Sequence, residues 1–70
     1  MTSKEWVERF AGEVGLEGPS EVEFDGVLRL AAAAAHGSER QAAPVAAWLA
    51  GRTGRPIVEL AELAERLRPS

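Results

Sequence analysis

The stretch Val22-Glu23-Phe24-Asp25-Gly26-Val27-Leu28-Arg29-Leu30, continued through the five alanines Ala31–Ala35 to His36, decides the fold. Placed 100° apart, Phe24, Val27, Leu28, Ala31, Ala34 and Ala35 fall on one stripe, the spacing of an amphipathic helix rather than of a strand. The alanine run is strongly helical and carries almost no side-chain bulk. Another helix is therefore expected to come near the short end of the ~8–10 Å interaxial range there. A stripe of this kind has to be covered by other elements, and the flanking sequence supplies helices.

Upstream, Thr2-Ser3-Lys4-Glu5 has the form of a capping box and Gly15 supplies a left-handed stop, which predicts a first helix from Ser3 to about Val14. Trp6, Val7, Phe10, Ala11 and Val14 recur on one face of it, with Glu5, Glu8, Arg9 and Glu13 opposite. Leu16-Glu17-Gly18-Pro19-Ser20 reads as a turn before the second helix. Downstream, Gly37 ends that helix and Ser38-Glu39-Arg40-Gln41 forms a polar corner. Pro44 belongs in the first turn of a short third helix, in which Val45, Trp48 and Leu49 share a face up to the breaker cluster Gly51-Arg52-Thr53-Gly54. Pro56 opens a fourth helix that runs to about Arg68, with Pro69 beyond its end. Its apolar face is Ile57, Leu60, Ala61, Leu63, Ala64 and Leu67, and Glu59, Glu62 and Glu65 make a solvated face. No segment alternates with period two. The expectation is all-α, a compact four-helix array with short loops, in a single domain over residues 1–70.

Seventy residues leave room for one core, and a domain of this size buries only about 60% of the surface of its unfolded chain. Such chains are commonly supported by disulfides, a metal or association. With no cysteine and one histidine, disulfides and thiolate zinc sites are excluded, no metal or other cofactor is expected, and a homo-oligomer or docking on a larger protein is. The start of the chain lacks a signal-peptide pattern and no apolar run reaches the ~20 residues of a membrane span, which predicts a cytoplasmic protein without membrane contact. The net charge of −3 argues against nucleic acid as a partner. So does the fourth helix, which as a recognition helix would turn Glu59, Glu62 and Glu65 towards phosphates. The charge is uneven, however: residues 36–56 carry Arg40, Arg52 and Arg55 against Glu39 alone. An anion would be drawn to that segment.

His36 is the only histidine and falls in the last turn of the second helix. There it serves either as a cation complementing the helix dipole or as a ligand-binding group beside Arg40. Catalysis needs a nucleophile, a base and an orienting partner, and no recognised nucleophile motif or phosphate loop is present; the chain is read as a non-enzyme with no catalytic residue. Trp6 and Trp48 are expected at the edge of the core with one rim exposed, and Asp25 and Arg29, spaced i, i+4, as a surface pair.

Taken together, Phe24-Asp25-Gly26-Val27-Leu28-Arg29-Leu30-Ala31, Ala35-His36-Gly37, Arg40, Ala42-Ala43-Pro44-Val45 and Trp48-Leu49-Ala50-Gly51 resemble a family of short, mainly actinobacterial proteins of unknown function. Its members show an N-terminal helix with a tryptophan, a leucine-rich helix ending in Ala-His, an Arg-x-Ala-Ala-Pro corner and an aromatic-Leu-x-Gly helix. Gln41 stands where many relatives carry proline. Some members are fused to, or lie beside, the guanylyltransferase that attaches GMP to molybdopterin. The resemblance implies an accessory role in molybdenum-cofactor maturation, with that transferase or a cofactor-recipient enzyme as partner. The expected site is an anion-accepting corner of His36 and Arg40 at the junction of the second and third helices. Arg52 and Arg55 would add charge from the next loop, and the N-terminus of the third helix would offer free N–H groups.

Overall fold

The computed structural model describes residues 1–67, in which four helices follow one another: α1 (Ser3–Glu13), α2 (Glu21–Gly37), α3 (Ala42–Thr53) and α4 (Ile57–Arg66). No strand occurs among the described residues, and the expected all-α, compact four-helix array with short loops is what forms. The expected continuation of the last helix to Arg68, and Pro69 beyond it, lie outside the described residues.

Local chemistry accounts for the boundaries. At α1, Glu5 N–H donates to Thr2 Oγ1 (3.1 Å) and Thr2 N–H donates to Glu5 Oε1 (2.9 Å), completing the capping box. The Thr2 N–H holds the Glu5 carboxyl below the usual range for glutamate. At its other end Gly15 takes φ +77°, and the bonds from Gly15 N–H to Gly12 O and from Leu16 N–H to Ala11 O close a Schellman motif. A second capping box, Ser20 with Glu23, starts α2 one residue earlier than its apolar stripe suggested. The third helix is longer than expected at its C-terminal end. It begins at Ala42, with Pro44 still in the first turn, and runs through Gly51 to stop at Gly54, whose φ of +71° is the left-handed break. Pro56 is extended and precedes α4 instead of opening it.

α3 and α4 both pack along α2 but make no extended contact with each other, and α1 packs extensively on none of them. The core is small, consisting of Leu30 and Ala33 from α2, Leu60 and Ala61 from α4, and Ala11 from α1. Its position corrects the expected stripe of α2. The buried line is Gly26, Leu30 and Ala33, whereas Leu28 is 56% exposed. The smallest side chain decides this, because a Cβ at Gly26 would lie 2.7 Å from Ile57 Cγ2. α4 settles where α2 is thinnest, and the bulkier face stays outside.

Two surface readings are corrected as well. Arg29 does not pair with Asp25 along α2; its Nε and Nη2 donate to Glu65 Oε2 and Oε1, both at 2.7 Å, clamping α2 to α4. That carboxylate raises the pKa of the guanidinium above its ordinary value. Glu65 is therefore a cross-helix tie, and Glu59 accepts from Arg55, so the acidic face of α4 is only partly a solvated one.

Candidate functional site

The four basic residues expected to form a corner are divided by α3. His36 is exposed in the last turn of α2, and Arg40 is exposed two residues before α3 begins. Arg52 and Arg55 lie at and beyond its other end, and twelve helical residues at 1.5 Å each place about 17 Å between those ends. His36 and Arg40 therefore share one junction, and Arg52 and Arg55 share another. Arg55 is also engaged, since its Nε donates to Glu59 Oε1 at 3.2 Å and its Nη2 to the same oxygen. The N-terminus of α3 does not offer the expected donors: Ala42 N–H is bonded to Glu39 O (2.9 Å), Ala43 N–H to Arg40 O (3.1 Å), and Pro44 has none.

What the structure does assemble is the outer face of α3. Val45, Trp48 and Arg52, spaced i, i+3, i+7, lie on one side of the helix. Trp48 is 61% exposed, contrary to the core-edge position expected of it, and the Arg52 guanidinium lies over its ring at 4.8 Å from the centroid. Stacking of this kind holds an arginine in place while leaving its edge donors open. The ion pairs among the described residues are Lys4–Glu21, Arg29–Glu65 and Arg55–Glu59, so neither Arg40 nor Arg52 spends its charge on a carboxylate there. The end of the helix beneath Arg52 is held firmly. Thr53 Oγ1 donates to Ala50 O (2.9 Å) and accepts from Arg55 N–H (3.1 Å). The sequence carried a signal for this face, since a cation four residues after a tryptophan on a helix stands above its ring.

Beside it, on a different face of α3, an open cleft of about 360 Å³ runs between α2, α3 and α4. Leu30, Ala34, Leu49, Ala50, Leu60 and Leu63 are among its lining residues, and it is almost wholly apolar. It exists because both α3 and α4 pack on α2 without meeting. Leu49, Leu60 and Leu63 were read in the sequence as parts of apolar faces, whereas Leu30 was not. At its edge Ser38 Oγ donates to Ala34 O (2.8 Å), which satisfies the hydroxyl without closing the cleft. Trp6 is also 57% exposed, stacked on Phe10 with centroids 5.3 Å apart.

No helix among the described residues is long and apolar enough to cross a membrane, and no group of three or more His, Asp or Glu side chains converges there in a way that could hold a metal. No curated protein and no solved structure matches the chain. The family model for a domain of unknown function, DUF6457, matches residues 1–68, and the chain belongs to that family.

Proposed function

We propose that this chain is a non-enzymatic accessory module of the cytoplasm that docks on an acidic surface of a larger protein through the outer face of α3. The observation that carries the reading is Trp48, largely exposed, with Arg52 stacked on it and without a carboxylate partner for that arginine among the described residues. Tryptophan and arginine are the residues most enriched among those that dominate binding energy at protein interfaces. Val45 extends the apolar part of the strip, and Arg40 adds charge before the start of α3.

The partner that the sequence resemblance implies is the molybdenum-cofactor guanylyltransferase or an enzyme that receives the cofactor. Calorimetry of this chain with the transferase at two salt concentrations, and separately with guanine nucleotides, tests the assignment. Binding to the transferase should weaken as salt rises, because exposed charges are screened beyond ~8–10 Å at physiological ionic strength. Trp48→Ala should weaken it by about 30-fold or more. Arg40→Ala should weaken it more than Arg66→Ala, since Arg66 ends the opposite helix. Absence of heat with both transferase and nucleotide would overturn the molybdenum link, and binding indifferent to Trp48→Ala would overturn the α3 surface.

A further inference from the structure

The chain leaves more surface in water than its mass accounts for. A folded monomer of 7.5 kDa is expected to expose about 4,250 Å², and this one exposes 5460 Å². Its radius of gyration is 12.4 Å where about 11 Å is expected for its length. The excess, about 1,200 Å², is larger than the ~800 Å² that each partner contributes to a standard stable interface.

Part of that surface is the apolar face of α1 and its C-cap. Trp6, Phe10 and Val14, spaced i, i+4, i+8, are each more than half exposed, and the two rings are stacked to within 13° of parallel, so they project as one flat slab. The same molecule carries the apolar cleft between α2, α3 and α4. The slab does not fill the cleft of its own chain. α1 is tied to the beginning of α2 by the Lys4–Glu21 ion pair (3.4 Å) and by Lys4 over the Phe24 ring (5.5 Å). The cleft lies further along α2, around Ala34, and ten residues of helix make that about 15 Å away. α1 carries Glu5, Glu8 and Glu13 against Lys4 and Arg9, while Arg40 and Arg52, with Glu39 between Ser38 and Arg40, stand near the Ser38 and Thr53 borders of the cleft.

We propose that two copies of this chain associate by reciprocal insertion, the Trp6–Phe10 slab of each entering the apolar cleft of the other. Because the insertion is reciprocal, the contact is isologous, and the assembly closes on a two-fold axis and stops at the dimer. The Val45–Trp48 face of α3 points away from the cleft and stays free, so this inference and the docking reading fail separately.

Sedimentation velocity over a concentration series tests it. The expected species has twice the 7.5 kDa chain mass. Trp6→Ala combined with Phe10→Ala should weaken association about 100-fold or more with the helix content kept, since both rings already face solvent. Ala50→Glu, which puts a charge into the cleft, should do the same. Mixing these two variants should restore a heterodimer, because one intact slab then meets one intact cleft. The chain has no cysteine, so chains carrying Phe10→Cys and chains carrying Ala50→Cys report the contact directly: the mixed disulfide should outnumber both self-disulfides. A chain monomeric up to millimolar concentration, a dimer unmoved by loss of the slab, or a mixture that fails to associate would each overturn the proposal.

Discussion

α1 and α2 begin alike and end up in opposite situations. Each is opened by a capping box, and each carries apolar residues at the three-to-four spacing of an amphipathic helix. α2 is covered on two sides, and the residues it buries are Gly26, Leu30 and Ala33. α1 carries the larger side chains, Trp6, Phe10 and Val14, yet leaves all three mostly in water and buries only Ala11. Periodicity gives the direction of a face, whereas the size of its residues decides how closely a second helix can come. Small residues on α2 admit two neighbours inside this chain, and the large ones on α1 stay largely in water.

The contrast is most sharply broken by truncating one side chain in each region. Leu60→Ala empties the packed centre at a residue that is 7% exposed, and should cost about 2–5 kcal/mol by urea denaturation. Trp6→Ala, measured in dilute monomer, should cost about 1 kcal/mol at most despite removing a larger side chain. Equal losses at the two positions would mean that α1 is part of the cooperative core.

The close approach of α2 to α4 gives the next effect. Gly26→Val should destabilise by about 1–3 kcal/mol, because Ile57 is β-branched and cannot swing its methyl aside freely. Gly26→Ala in an Ile57→Ala background should instead stabilise relative to Ile57→Ala alone, by up to about 1 kcal/mol, as alanine's helix propensity is no longer opposed by a clash. Loss of stability in both backgrounds would place the demand for glycine elsewhere.

The two capping boxes allow a matched comparison of smaller size. Ser20→Ala should lower global stability by about 1 kcal/mol, since α2 holds the other helices together. Thr2→Ala should leave global unfolding nearly unchanged and appear as faster amide exchange confined to α1.

The smallest effect expected is that of pH on α1. Hydrogen bonds from Thr2 hold the Glu5 carboxyl below its ordinary value, so the helix stability it contributes is full above the unfolded glutamate value of about 4.3 and is lost as pH falls below that through the lowered folded value. Backbone chemical shifts of Thr2 and Glu5 between pH 6 and pH 3 should follow this transition. Glu5→Gln, which keeps an acceptor at the same place, should flatten it, and an unchanged transition in that variant would assign the titration to another carboxylate.

Much of this fold is legible in the residues themselves. Four helices follow from apolar spacing and from Thr2, Gly15, Gly37, Pro44 and Pro56, because caps and breakers act over a single turn of chain. The candidate site is less legible. The cluster of Arg40, Arg52 and Arg55 is evident as composition, yet it is split along the length of α3, and the end of a helix expected to offer free donors uses them on Glu39 and Arg40 carbonyls. Arg29 faced two acidic choices, and Glu65, thirty-six residues away, took it in place of Asp25 on the same helix.

The sequence by itself determined that the chain is helical, where each helix starts and stops to within one to three residues, and that its middle third is basic. Those properties depend on neighbours a few positions apart. Only the tertiary structure decided that the buried line of α2 runs through Gly26, Leu30 and Ala33, that Trp6 and Trp48 remain outside, and that an apolar cleft stays open between α3 and α4. These outcomes depend on which helices approach each other and how closely, a competition among all the faces at once that the smallest contacting side chains settle.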